Sequence, residues 1–379
     1  MAIFTGTGAN EIIVPGNVSV SVAVQIGSPF PTGAADQLFG GDGNDTLRGG
    51  GGADSQYGGN GNDYVFASNG IDIADGGAGT DTLDTTAWAF DYTVNLTTGL
   101  TNWVGESFVN FEHLIAGAGN DSLTGTAGAN AITGGDGNDT LRGRGGADSQ
   151  YGGNGNDYVF ASLGIDIADG GAGTDTLDTT SWGFDYAVNL TTGLTDWVGE
   201  SYVNFERLNA GAGNDTLTGT FGANAITGGD GNDLIIGGQG ADTLTGGAGI
   251  DRLLGGAGLD RLVGGLGQDL FIFTLASDSS GAGADVIVAG GGAIAFQGAG
   301  GAFGDRINLA QIDANVTLGG NQAFTFGFGV GVGTLSLSTV GTDTVVHGNT
   351  DFDAAFEFRL VIQDGAVLST AYTMADFFL

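Results

Sequence analysis

The sequence predicts an all-β chain wound as a right-handed parallel β-roll, on three observations. Glycine supplies 78 of 379 residues against three prolines. The stretch "GGDGNDTLR" at residues 40–48 recurs letter for letter at 134–142. Around both copies the chain divides into nines in which a single apolar residue returns at position eight. A period this short leaves room for strands of about three residues, and such a unit buries its apolar face only by stacking on neighbours.

The nines begin with a worn copy, "PTGAADQLF", with Asp36 and Leu38 in register, and run clean from residue 40. A second array covers 116–178 and a third 210–272. Residues 40–133 and 134–227 align without gaps at an offset of 94, with eleven differences. The expected organisation is capping strands at 1–30, arrays at 31–84, 116–178 and 210–272, wider inserted coils at 85–115 and 179–209, and a C-terminal β cap at 273–379.

Within a nine, six turn residues precede three strand residues. Glycines at positions one, two and four allow positive φ, which other residues reach only at a cost. Position eight is apolar at Leu47, Val65, Leu83, Leu141, Val159, Leu177, Leu253 and Leu262. Two nines make one coil, with position eight inward. Turns two nines apart then stack on one edge, placing Asp45, Asp63 and Asp81 in one column and Asp54 and Asp72 in the other.

Composition narrows the partners. Forty-three acidic residues face eight basic ones, all arginine, for a formal charge of −35. Nucleic acid and anionic membrane both need positive charge, so neither is an expected partner. No run of about 18 apolar residues offers a membrane span, and "MAIFTGTGANEIIV" carries no Sec-type signal pattern. With no cysteine, thiolate metal sites are excluded. Unit charges about 5 Å apart repel by roughly 3 kcal/mol at an effective dielectric of 20. Calcium relieves that repulsion, taking six to eight oxygens from carboxylates and carbonyls alike, whereas magnesium is smaller and strictly octahedral.

The pattern G-G-x-G-x-D-x-U-x resembles the RTX, or hemolysin-type, calcium-binding nonapeptide. The resemblance implies multiple calcium ions between turns of successive coils, held by turn carbonyls and the position-six aspartates. In this sequence those are Asp45, Asp54, Asp63, Asp72, Asp81, Asp121, Asp139, Asp148, Asp157, Asp166, Asp175, Asp215, Asp233, Asp242, Asp251, Asp260 and Asp269. Asn130 and Asn224 replace aspartate in two nines, and "ASNGIDIAD" and "ASLGIDIAD" lack the leading glycines, so weak or absent binding is expected there.

In the inserts, "FDYTVNLTTGLTNW" reads as two strands around "TTG" and "SFVNFEHLI" as a third, with Trp88, Phe90, Tyr92 and Trp103 assigned to the core rather than to a surface patch. "TGTGANEII" and "VSVSVAVQI" read as a degenerate nine and a capping strand. After residue 272 the nines are expected to stop. The end, with "DRINL", "FEFRLVIQD" and "MADFFL", resembles the cap and type I secretion region of serralysin-type proteases, from which "GGAIAFQGAGGAFG" departs.

A zinc peptidase would need H-E-x-x-H, but only His113 and His347 are present, and His113 becomes Arg207 in the next copy. No enzyme is expected. The resemblance implies secretion, by a type I route, to the outside or surface of a Gram-negative-type bacterium. The function expected is a calcium-folded structural protein that self-associates into a surface layer, sheath or filament. The alternatives are an adhesin for cell-surface glycan and the remnant of a secreted enzyme.

Overall fold

Alternation of inward and outward side chains decides the strands. In "TLR" and "YVF" the middle residue is buried and its neighbours are not, the period of two that a half-buried strand requires. All eight position-eight residues named above are fully buried. In alternate nines of the first two arrays, and in successive nines from Ala225 to Gly267, the pairing continues through the leading glycines, so "QLFGGD" and "SQYGGN" are six-residue strands rather than three.

The structure, a computed structural model, describes residues 3–5, 12–14, 17–18, 23–26, 33–67, 69–279, 284–288, 304–312, 322–326, 331–351, 356–363 and 371–379. Described residues contain strands and two 3-10 turns and no α-helix. They divide into two compact units, Met1–Leu177 with Trp197–Phe205, and Asp178–Asp196 with Glu206–Leu379. The division falls within the second insert.

In the first unit one face is a parallel run of Ile3–Thr5, Gln37–Asp42, Ser55–Asn60 and Ile73–Ala78. The other face runs through Ile12–Val14, Thr46–Arg48, Tyr64–Phe66, Thr82–Asp84, His113–Ile115, Ala131–Asp136, Ser149–Asn154 and Ile167–Ala172. Both faces begin with antiparallel pairs, Ile3–Thr5 with Ala23–Ile26 and Ile12–Val14 with Asn17–Val18. Most of "TGTGANEII" and part of "VSVSVAVQI" lie outside the described residues.

The first insert does not simply widen a coil. Ser107–Val109 pairs parallel with Ile73–Ala78, and Leu100–Thr101 runs antiparallel beside it and beside Thr93–Asn95. Thr93–Asn95 then pairs parallel with Ser122–Thr124 of the second array. "SFVNFEHLI" is two strands, not one: at Asn110, with φ 58°, the chain passes from one face to the other. Seven nines make an odd number of half-coils, so within the first unit equivalent strands of the two copies stand on opposite faces. Ser55–Asn60 lies on the first face and its copy Ser149–Asn154 on the second.

In the second unit one face runs Ala187–Asn189, Thr216–Thr218, Leu234–Gln239, Arg252–Ala257, Leu270–Ile272, Arg306–Asn308 and the terminal Phe377–Phe378. The other runs Arg207–Asn209, Ala225–Asp230, Thr243–Gly249, Arg261–Gly267, Asp285–Val288 and Phe358–Gln363. It ends in antiparallel Asp343–Asn349 and Thr334–Val340. The nines therefore continue past residue 272. Asp285–Val288 and Arg306–Asn308 extend both faces, and "GGAIAFQGAGGAFG" lies outside the described residues except for Gly304.

Candidate metal centre

The turn at residues 58–63, "GGNGND", shows why each glycine is needed. Gly59 and Gly61 have φ of 113° and 129°, and a Cβ on either would lie 2.1 or 1.8 Å from a carbonyl oxygen of the coil before. Gly58 is different. Its φ is ordinary, but a Cβ there would lie 2.2 Å from Asp63 Oδ2 and 2.4 Å from the carbonyl oxygen of Gly76. Position one is thus glycine for room, not for φ: the aspartate at position six folds back over it. Gly40 repeats the arrangement, with Asp45 Oδ2 and the Gly58 carbonyl oxygen each 2.4 Å from the absent Cβ.

Positions six and eight share the inward side, so the aspartates lie inside the roll's edges, at most 3% exposed at all seventeen predicted positions. The two carboxylate oxygens have separate roles. Oδ1 accepts the backbone N–H of the position-six residue one coil earlier, at 2.7 to 3.0 Å. In the first unit these bonds join Asp36, Asp54 and Asp72, and Asp45, Asp63 and Asp81. They also join Asp121, Asp139, Asp157 and Asp175, and Asn130, Asp148 and Asp166. In the second unit they join Asp215, Asp233, Asp251 and Asp269 to Asp305, and Asn224, Asp242 and Asp260 to Asp285.

Oδ2 is buried without a hydrogen-bond partner at Asp54, Asp63, Asp81, Asp139, Asp157, Asp233, Asp242, Asp251, Asp260, Asp269 and Asp285. A buried acceptor left unmade costs about 1–3 kcal/mol, more when charged. The electrostatics agree. Burial pushes the carboxyls of Asp54, Asp139, Asp242 and Asp251 up to about 7, partly offset by the backbone N–H each accepts. Asp81, Asp148 and Asp215 rise to about 6 and Asp285 to about 8, again chiefly by burial, with neighbouring carboxylates adding to it. No point among the described residues gathers three acidic or histidine side chains. A cation here would complete its shell with backbone carbonyls, which suits calcium and not a transition metal. The orphaned oxygens, the missing Cβ atoms and the carbonyl-rich turns all fit it.

Three turns close differently. Asn130 Oδ1 accepts the Thr126 N–H at 2.7 Å and its hydroxyl at 3.2 Å, while Nδ2 donates to the Glu112 carbonyl at 3.0 Å. Asn224 repeats this with Thr220 and Glu206. At "ASLGID" the Ser162 hydroxyl donates to Asp166 Oδ2 at 2.9 Å and Asp148 Oδ2 at 3.2 Å.

Sequence reasoning missed several acidic residues that take the position-six place. Glu112 Oε2 accepts the Asp81 N–H at 2.9 Å. Glu106 stands beside Asp72, as the register of Ser107 with Ile73 requires. Asp285 and Asp305 end the two columns of the second unit. The nines "SGAGADVIV" and "GGAFGDRIN" carried the signal for the last two. The glutamates had none, because "TNWVGE" and "VNFE" lack the glycines. The insert aromatics divide: Trp88 and Tyr92 are buried, whereas Phe90 is 39% exposed and stacks on half-buried Trp103 at 5.3 Å.

Parallel coils with carboxylates turned into glycine-rich edges define a cation-built repeat protein. The signature of the RTX calcium-binding nonapeptide repeat (4 copies) matches residues 31–56, 57–87, 115–149, 151–181, 209–244, 236–271 and 279–293, over half the chain. The chain belongs to that family, and its repeats bind multiple calcium ions. No curated protein matches it. Repeats of this kind are typical of extracellular proteins exported by type I secretion, and no helix among the described residues is long and apolar enough to cross a membrane.

Proposed function

We propose that this chain is a structural protein whose fold is built by calcium outside the cell, with the position-six aspartates of the glycine turns as carboxylate ligands. The observation that carries this reading is the set of buried, unpartnered Oδ2 oxygens, which in the turns of the three arrays are turned over a glycine whose missing side chain makes the space. When bound, calcium supplies positive charge to carboxylates that burial otherwise drives toward protonation. The chain's own turns do the positioning: Oδ1 is fixed by the preceding coil, which leaves Oδ2 and the turn carbonyls to face the ion. Extracellular calcium modules work at dissociation constants of about 10⁻⁴ to 10⁻³ M, so the arrays stay unfolded in a cytosol and fold after export.

Self-association into a layer, sheath or filament follows as the role we favour. It is supported by the duplication, which sets equivalent surfaces on opposite faces of the first unit, with Ile73 42% and its copy Ile167 43% exposed. A patch repeated on two faces makes contacts that do not close on themselves, and non-closing contacts give extended assemblies. Light scattering and negative-stain microscopy of concentrated protein test this: growth on adding calcium supports it, and a calcium-loaded monomer at high concentration rejects it. The adhesin reading rests on the exposed Phe90–Trp103 stack, a platform suited to a sugar face, and gains if the protein stays monomeric yet binds immobilised glycan.

A further inference from the structure

The insert coil is closed by a chemistry different from that of the arrays around it. In the glycine turns of Asp54, Asp63, Asp81, Asp139 and Asp157 Oδ2 has no hydrogen-bond partner. In the insert turn Glu106 Oε2 accepts the Thr101 hydroxyl at 2.6 Å and the Tyr92 hydroxyl as well, which leaves only Oε1 buried without a partner. The next turn in the neighbouring column closes through Thr126 and Asn130, and a neutral amide there also removes one buried charge. Thr126 lacks the positive φ that the arrays' glycine has at position two, and Thr101 fills position one, so these turns place a hydroxyl where the arrays use glycine. Thr97 adds a bond to the Gly125 carbonyl at 2.7 Å, tying the hairpin to that turn.

The same segment carries a buried aromatic cluster. Trp88, Tyr92, Phe108 and Phe111 are buried, and Trp88 meets Tyr92 edge to face at 4.2 Å. Its strands Thr93–Asn95, Leu100–Thr101 and Ser107–Val109 are close in sequence and partly antiparallel, pairings that form with little loop-closure cost.

We propose that the first insert, with the Thr126–Asn130 turn, is a cation-independent nucleus, so that calcium removal unwinds the flanking glycine-turn arrays and stops at the insert. It rests on the reading of the glycine turns as calcium-bound. On export, the arrays wind onto this preformed template when calcium is met.

Hydrogen exchange of the full chain in EGTA decides it, read beside far-ultraviolet circular dichroism. All four tryptophans lie in the inserts, so their emission gives a second view. The expected result is a large loss of β signal, emission still blue-shifted, and amides of 93–95, 107–109 and 113–115 exchanging at least about tenfold slower than those of 46–48, 64–66 and 140–142. Uniformly fast exchange with red-shifted emission overturns the nucleus but leaves the calcium reading standing. A β signal indifferent to EGTA overturns both. As a second arm, Thr126→Gly with Asn130→Asp rebuilds a "GGAGAD" turn. It should bind one more calcium per chain and lose the EGTA-resistant protection at 131–133; unchanged protection there counts against the hydroxyl-closure argument.

Discussion

Phe108→Tyr should stabilise the protein, and the molecule contains its own control. Glu106 is 2% exposed, with Oε2 taking two hydroxyls and Oε1 buried without a partner. In the second copy Glu200 is equally buried, but position 108 of the first copy is there Tyr202, whose hydroxyl donates to Glu200 Oε1 at 2.7 Å. Both rings are fully buried, so the second copy demonstrates that this pocket accepts the extra oxygen. An unmade buried acceptor costs about 1–3 kcal/mol, and a made bond nets about 1 kcal/mol. The substitution should therefore gain about 1 kcal/mol, and Tyr202→Phe should lose about as much or more. The assay is guanidinium unfolding in saturating calcium followed by tryptophan emission, with the midpoint compared at constant slope. A midpoint lowered by Phe108→Tyr, with Tyr202→Phe neutral, would refute the argument that Glu106 Oε1 lacks a donor.

Other outcomes are equally open to measurement. Chelating calcium should abolish most of the β signal, and millimolar calcium should restore it while magnesium should not; restoration by magnesium counts against oxygen cages of calcium size. The carboxyls of Asp54, Asp139, Asp242 and Asp251 sit near 7 when folded without the ion, against 3.8 ordinarily. A raised folded value stabilises at low pH and is lost as pH rises through it. In EGTA the β signal should therefore be greater at pH 5 than at pH 8, with the change centred near 6 to 7; a chain equally unfolded at both rejects burial as the cause. Gly58→Ala, whose Cβ would meet Asp63 Oδ2 and the Gly76 carbonyl, should cost on the order of 2 kcal/mol as overpacking and weaken calcium binding. Gly51→Ala, with nothing nearer than 3.7 Å, should be tolerated in the same calcium titration.

Much of the fold was legible because its unit is only nine residues long. Position eight named the core correctly wherever it was apolar, since a strand this short offers one inward place between turns. The inserts were less legible. No periodicity distinguishes "SFVNFEHLI" as one strand from two, and the left-handed residue that divides it is an asparagine. The antiparallel Leu100–Thr101 was read correctly as following "TTG", but its place between two parallel neighbours depends on pairing across the roll. Exposure of Phe90 and burial of Trp88, two residues apart, likewise follow from tertiary packing rather than from type.

The site was legible in its residues and hidden in its division of labour. A column of aspartates at fixed spacing implies a shared edge, and from repulsion alone a cation between them. What spacing does not reveal is that one oxygen of each carboxylate is consumed by the backbone of the preceding coil. That bond is why Glu112 can stand in for aspartate beside Asp81: an N–H asks only for an oxygen at about 2.9 Å, and a longer side chain from a non-glycine turn supplies it. The second oxygen is less forgiving, because it must turn back over position one. There a glycine leaves room and an orphaned oxygen, whereas at "ASLGID" the Ser162 hydroxyl satisfies the oxygen of Asp166 directly. On the reading proposed above, the leading residues of these nines, and not the aspartate alone, decide whether a turn takes an ion.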